Sequence, residues 1–381
     1  MRVLVLNPGS SSLKYQVRET NAGLVGQAVI ASGQVEWTDH GRDRLTALSA
    51  VLREVAGRAG QPDAIGHRVV HGGRQFDAPT VVTPDVIKAV RALSPLAPLH
   101  NPASADSMEA CARHWPGIAQ AAVFDTSFHS SIPDFAFRYA VPEDAHPDVA
   151  VRRYGFHGIS VAQACRDSAD FLDCKPENLA AVVAHIGNGA SVTAVKQGRS
   201  VDTSMGMTPL EGLVMGTRSG DLDPSVVLLL ERAGASADEV DDLLNHRSGL
   251  KALAGTQDMR QIEKAAAGGD PNAVLALRVA TYRLAKYIAA YSMAVGGADA
   301  LVFTGGIGEN SVTFRSWTVA WLGPIGIELH EGRNHLPPEG IRDIGAKSSR
   351  ARVLVVPSDE ERAIAESTAA LLGGAERKWD T

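Results

Sequence analysis

Short runs of β-branched and aliphatic residues recur along the chain, each followed at once by small and polar ones. Val3-Leu4-Val5-Leu6 predicts a buried strand, Asn7-Pro8-Gly9-Ser10-Ser11-Ser12 a tight turn, and Leu13 to Val17 a returning strand. The scheme repeats at Ala181 to Ala184, which leads through His185-Ile186-Gly187-Asn188-Gly189-Ala190 into a return over Ser191 to Val195. Two such hairpins, about half a chain apart, predict a duplicated α/β domain whose working loops sit at strand ends. A third strand, Ala300 to Phe303, runs into a glycine-rich turn, Thr304 to Asn310. It follows a helix in which Leu277, Leu284, Ile288 and Tyr291 recur at helical spacing. A fourth, Val353 to Val356, ends at Pro357-Ser358 and opens a last helix, Asp359 to Leu372, expected to pack on the first domain. Ser358 and Glu361 fit a capping box at its start.

Proline punctuates Ala92 to Pro102 and excludes regular helix there. The polar stretch 142–148, with a proline near each end, is the expected domain boundary. On that reading, residues 1–148 form an N-terminal domain joined by the C-terminal helix (about 362–381), and 149–361 form a C-terminal domain.

Length and composition agree with two ordinary globular domains. The chain has 381 residues, 45% of them hydrophobic and 21% charged, which excludes disorder and fibrous repeats. Its net charge is −6, from 37 Lys and Arg against 43 Asp and Glu. A protein that neutralises phosphate backbones is normally basic, so nucleic acid is excluded as a main partner. Any anion must therefore be gripped by a few placed cations. Cys111, Cys165 and Cys174 are odd in number and lack CxxC spacing, against a disulfide framework or zinc site and for a reducing compartment. No apolar run approaches the ~18 residues that span a bilayer. A strand begins at Val3 without a charged lead and apolar signal region, so the expected location is cytoplasmic, away from membranes.

Several motifs are absent. No Gly-Lys pair occurs, which removes the P-loop. Gly306-Ile307-Gly308 lacks the third glycine of a dinucleotide fingerprint, and His330-Glu331 with His335 misses the zinc-protease spacing by one residue. What remains is a set of small-residue turns with scattered Asn, His, Arg and Asp. Exposed backbone N–H groups in such turns suit phosphates, with Lys14 and Arg260 adding charge. Taken singly, each glycine is better explained by a turn that needs positive φ; three or four such turns at strand ends together favour phosphate binding.

NPGSSSLKY, GHRVVHGG, LAPLHNP, VFDTSFH, RRYGFHGIS, HIGNGASVTAV, DTSMGMTPLEGLVMGTRSGDLDP, FTGGIGEN and the Glu-Glu after VVPSD stand in the order found in acetate kinases. The sequence resembles that family from Val3 to about Ala369. The resemblance implies a duplicated actin-like (ribonuclease H-like) ATPase fold of two domains with an active-site cleft between them. It implies reversible phosphorylation of acetate to acetyl phosphate by direct in-line transfer from ATP. It also implies Mg²⁺, for which Mn²⁺ can substitute, and a homodimer.

Residue by residue, Asn7 matches the family's magnesium-site Asn, Glu360 its magnesium-linked Glu, and Lys14 its ATP-contacting Lys. Arg68 matches the substrate-binding Arg and Asp125 the active-site Asp. His157 and Arg218 match the residues that stabilise the transition state. Three segments match the nucleotide site: His185, Ile186, Gly187, Asn188 and Gly189; Asp258, Met259 and Arg260; and Gly306, Ile307, Gly308, Glu309 and Asn310. Val70, Leu99, Phe156 and Pro209 match the pocket for the acetate methyl. Among the departures, Asp359 stands where the family usually has Asn and adds a negative charge beside Glu360.

Phosphoryl transfer asks for positioning and charge stabilisation, which suits Arg68 and Arg218. An Arg is more commonly a surface ion-pair partner, but the apolar Val69-Val70 and the tight Gly216-Thr217 flanks favour function. A His among aromatics, as at His157, is more often a core residue. Acetate is already ionised at neutral pH and needs no general base. Asp125 is therefore expected to orient Arg218 or a magnesium-bound water, or else to cap a helix. Propionate or butyrate kinase is the nearest rival activity, separated only by pocket volume. Chaperones and filaments of the same architecture need a peptide-binding appendage or polymer interface, for which about twenty-five residues remain after the fourth strand.

Overall fold

The computed structural model describes residues 1–9, 12–20, 28–37, 41–142, 144–147 and 149–373. The chain divides into two compact units. The first holds Met1–Ser130, Gly158–Ser160 and the chain from Asp359 onward; the second holds Ser131–His157 and Val161–Ser358. The expected boundary at 142–148 falls inside the second unit, with residues 143 and 148 outside the described residues. Residues 374–381 of the expected last helix and Ser10-Ser11 of the first turn also lie outside them.

The first unit is built on strands β1 (Arg2–Pro8), β2 (Ser12–Glu19), β3 (Val29–Glu36), β4 (Ala64–Val69), β5 (Thr80–Val81) and β6 (Gln120–Phe124), in the order β3-β2-β1-β4-β6-β5. The second is built on β7 (Ala181–Ile186), β8 (Ala190–Lys196), β9 (Arg199–Thr203), β10 (Ala300–Thr304), β11 (Arg342–Asp343) and β12 (Arg352–Val355), in the order β11-β12-β10-β7-β8-β9. Read from opposite ends, the two sheets have one topology. In each, an antiparallel three-strand meander joins a parallel trio, β1-β4-β6 or β7-β10-β12, with a short antiparallel strand at the far edge. The duplication expected from the paired hairpins is thus present in full.

Val3, Leu4, Val5 and Leu6 are all fully buried, because β1 is covered on both faces. Alternation sends Val3 and Val5 one way, to pack with Val123 and with Ala363, Ile364 and Ala365 of the last helix, Glu360–Gly373. Leu4 and Leu6 point the other way, onto Leu48, Val51 and Leu52 of helix Gly41–Ala59 and Ala103 and Cys111 of helix Asn101–His114. The last helix lies so close to β4 that a Cβ on Gly66 would come 2.4 Å from Thr368 Oγ1.

In the second unit, helix Pro271–Ala294 buries Leu277, Ala280, Leu284, Ile288 and Tyr291 along one stripe. Its start is set by Pro271 and by Asp270, whose Oδ1 accepts the Ala273 amide at 2.8 Å. One sequence expectation is corrected here: Gly305–Asn310 forms a short helix after β10, not an open turn. Asn310 Nδ2 closes its last turn onto the Gly306 carbonyl at 2.9 Å.

Candidate active site

In parallel α/β sheets, side chains for ligands gather at the carboxyl ends of the strands. In the first unit those ends belong to the neighbours β1, β4 and β6, which deliver Asn7, Arg68 and, one residue past β6, Asp125. Arg68 Nε lies 3.2 and 3.1 Å from the two Asp125 oxygens, Nη2 donates to Oδ2 at 2.6 Å, and Nη1 donates to Asn7 Oδ1 at 3.1 Å. Burial works against the Arg68 charge, but Asp125, Glu360 and Glu361 outweigh it and hold the guanidinium protonated. Burial pushes the Asp125 carboxyl above the usual range, Arg68 opposes the push, and Glu360 adds to it. The guanidinium paired with Asp125 is that of Arg68, a partner outside the sequence expectation of Arg218, a magnesium-bound water or a helix cap.

Glu361 joins this group, since its Oε1 accepts from Asn7 Nδ2 at 3.0 Å. The expected capping box at Ser358 and Glu361 is corrected to a simple N-cap one residue on, because Arg362 stands at N3 of the helix and cannot return the second bond. The N-cap contact comes from Asp359, whose Oδ1 accepts the Arg362 amide at 3.0 Å, while the Ser358 amide donates to Glu309 Oε1 at 2.9 Å. The extra charge of Asp359 is taken up by Arg18, whose Nη2 lies 2.7 and 2.8 Å from its two oxygens. Arg18 is buried, on a strand face where Lys14 is exposed, and nothing local in the sequence announces the pairing. Lys14 stands opposite Asn7 in the β1–β2 register.

Of the four methyl-pocket residues, Val70 is buried just past β4 and Leu99 is exposed. Asn101 ties their segments together, accepting the His71 amide at 3.1 Å and donating to the His71 carbonyl at 3.0 Å. Phe156 and Pro209 belong to the second unit, Phe156 buried and Pro209 half-buried.

In the second unit, His185 closes towards the end of β7, and Gly187 to Gly189 turn the chain into β8. The His185 and His157 rings stack, with centroids 4.2 Å apart. His157 adopts a left-handed backbone (φ 59°), uncommon for a residue with a side chain, and its Nδ1 is 3.0 Å from Ser191 Oγ. Arg218 donates from Nη1 to the Pro209 carbonyl at 3.0 Å and contacts Met215 Sδ at 3.7 Å. No carboxylate among the described residues pairs with it, and burial alone pulls its pKa down. A Cβ built on Gly189 would lie 3.5 Å from both Arg218 Nη1 and His157 Nε2, so the two converge on the β7–β8 turn.

The remaining nucleotide-segment residues are less gathered. Asp258 caps helix Met259–Ala267 and binds the exposed Arg260 guanidinium at 3.0 and 2.8 Å; Met259 is buried. Gly306 to Asn310 form the short helix after β10. Among the described residues, no group of three or more His, Cys, Asp or Glu is placed to hold a metal by itself.

The sequence profile of the acetokinase family matches residues 2–366. The acetate kinase of Arthrobacter sp. (strain FB24) is 51% identical over 98% of this chain and 100% of its own. Among solved structures, Porphyromonas gingivalis acetate kinase superposes with a TM-score of 0.88 at 38% identity, covering 97% of this chain and 99% of that one. A propionate kinase from Francisella tularensis subsp. tularensis SCHU S4 does so with a TM-score of 0.88 at 36% identity and the same coverage. A family-wide profile match, half-identical relatives and a duplicated fold shared with solved members lead to one conclusion: this chain belongs to the acetokinase family, the ATP-dependent kinases that reversibly phosphorylate acetate.

Proposed function

We propose that this protein transfers the γ-phosphoryl group of ATP to acetate, reversibly, with Arg68 as the carboxylate-holding residue and Arg218 and His157 as the phosphoryl-stabilising ones. The observation that carries the reading is Arg218. A half-buried guanidinium with no carboxylate partner among the described residues, beside His157 at the Gly189 turn, is a place prepared for an anion. Arg68 has five N–H donors, of which Asp125 and Asn7 engage three, so two remain for a substrate carboxylate.

Acetate is ionised at neutral pH, so no proton has to be removed from it. One carboxylate oxygen forms the new bond to the γ-phosphorus as the bond to the β–γ bridging oxygen breaks, and ADP leaves with that electron pair. Negative charge on the transferring group is met by the Arg218 fork and the His157 ring, both set before the reaction. Asp125 acts through Arg68, fixing the plane of its guanidinium.

The donors of the first unit fit a magnesium ion. They are hard oxygens, an amide carbonyl and a few carboxylates, with no closed cage, as suits an ion that keeps its waters and shares a nucleotide's phosphates. Asn7 and Glu360 would hold it, where it would neutralise phosphate charge. The nucleotide itself is assigned to His185–Gly189, Asp258–Arg260 and Gly306–Asn310, with Lys14.

We further propose a homodimer in the cytoplasm. Helix Ser225–Arg232 buries none of its residues and exposes Val226, Leu228 and Leu229. All three cysteines are free, and no helix among the described residues is long and apolar enough to cross a membrane. Sedimentation of the wild type beside Leu229→Glu tests the dimer: a monomeric wild type rejects it.

The deciding experiment is formation of acetyl phosphate, trapped as the hydroxamate, from ATP with acetate, against ATP alone and ATP with propionate. Acetate-dependent product is expected. Nucleotide hydrolysis indifferent to either acid would overturn the reading.

A further inference from the structure

Arg153 stands four residues before His157 and belongs to no motif role assigned above. Its side chain is 14% exposed and grips one loop at several points. Nη1 lies within hydrogen-bonding distance of three consecutive carbonyls, Thr203 at 2.9 Å, Ser204 at 3.1 Å and Met205 at 3.0 Å, which share its two N–H groups, and Nη2 donates to Glu211 Oε1 at 2.5 Å. The other Glu211 oxygen accepts the Tyr139 hydroxyl, and the Tyr139 oxygen accepts the Met207 amide at 3.0 Å. The next carbonyl, that of Gly206, accepts the amides of Tyr154 at 3.0 Å and Gly155 at 3.2 Å.

Four successive carbonyls, 203 to 206, are thus held by residues 153 to 155, immediately ahead of Phe156 and His157. The fit is close: a Cβ on Gly206 would fall 1.8 Å from Glu211 Oε2. From this clamp the loop continues to Pro209, whose carbonyl receives Arg218 Nη1 at 3.0 Å. The segment that presents His157 is therefore the one that fastens the loop leading to Arg218. Only a planar guanidinium offers enough fixed donors for a carbonyl run and a carboxylate together; a lysine has three donors on a flexible stem.

We propose that Arg153, together with Glu211, is a positioning residue that holds the loop from Thr203 to Glu211 against the segment 153–157 and so sets Arg218 and His157 in register at Gly189. This rests on the reading of the protein as a carboxylate kinase. Arg153 touches no reacting group in that reading. Its contribution is alignment, and a displacement of about 1 Å in such a group can cost up to about 100-fold in rate.

The test compares Arg153→Met, Arg153→Lys and Glu211→Gln with the wild type, through kcat and both KM values per folded enzyme and through amide hydrogen exchange over residues 203–218. Arg153→Met is expected to lower kcat about tenfold or more and raise KM for acetate, with KM for ATP nearly unchanged. Arg153→Lys, which keeps the Glu211 ion pair, should recover part of the loss, and Glu211→Gln should fall between it and the wild type. Exchange over 203–218 should quicken in Arg153→Met while that over 181–196 does not. A wild-type kcat in Arg153→Met, or a lower melting temperature with unchanged kinetics per folded molecule, overturns the proposal. A wild type that forms no acetyl phosphate would instead overturn the kinase reading. The exchange data would then decide alone whether Arg153 holds the loop, and unchanged exchange over 203–218 would reject that too.

Discussion

Arg68 Nη2 and Asp125 Oδ2 are 2.6 Å apart, in a pair whose acid is 1% exposed and whose base is 16% exposed. From the sequence, Ala in place of either Arg68 or Arg218 is expected to remove most activity and leave folding intact; this pair separates the two. Arg68→Ala strands a buried carboxylate, which costs about 3–5 kcal/mol. Without Arg68 the Asp125 carboxyl in the folded state rises further above its unfolded value. The deficit is therefore smallest near pH 4 and grows as pH rises to neutrality. Arg218→Ala strands no acidic partner among the described residues and should melt near wild type, with kcat lower by about 10²–10³-fold. Melts at two pH values and steady-state kinetics check both; normal turnover in Arg218→Ala would refute its role.

His67 lies on β4 beside Arg68, fully buried, with Nε2 2.7 Å from Gln120 Oε1 and no hydrogen-bond partner at Nδ1 among the described residues. Burial holds its pKa down to about 4, against a Gln120 bond that raises it. The unfolded chain therefore takes up this proton first as pH falls. Stability contributed by the neutral ring is present above about pH 6.5 and is lost between about 6.5 and 4, about 3 kcal/mol in all. His67→Gln keeps a polar partner for Gln120 without titrating. Its melting temperature should vary less than that of the wild type between pH 7.5 and 5, and an identical slope in both proteins would refute this.

At the start of the last helix, three neighbouring acids should give three phenotypes. Asp359→Ala removes the cap, about 0.5–2 kcal/mol, and strands the buried Arg18; Asp359→Asn keeps the cap and should be milder. Glu361→Ala loses one bond to Asn7, about 0.5–1.5 kcal/mol. Glu360→Ala should melt near wild type but require more magnesium at fixed ATP. Thermal melts with a magnesium titration distinguish them, and equal behaviour of all three would leave this terminus a cap and nothing more.

Val70 is 4% exposed at the end of the strand that carries Arg68. If it bounds the methyl site, Val70→Ala should raise the propionate-to-acetate ratio of kcat/KM by about tenfold or more, the scale of ~1–3 kcal/mol per methylene. An unmoved ratio would place the specificity elsewhere.

The sequence by itself determined the hairpin that opens each sheet, because an apolar run cut by small residues is a local signal. Val3–Leu6 with Leu13–Val17, and Ala181–Ala184 with Ser191–Val195, became β1–β2 and β7–β8. Its strand-end motifs also carried the family resemblance, and with it the candidate residues proposed for phosphoryl transfer. Only the tertiary structure decided which charges meet. Asp125 pairs with Arg68, 57 positions away, because β1, β4 and β6 are sheet neighbours. Asp359, which caps the last helix, pairs with Arg18, 341 positions away. Arg153 reaches three carbonyls fifty positions on. Such partners are set by strand order and by which face a side chain takes at close quarters. A local pattern of hydrophobic and polar positions carries the face but not the neighbour.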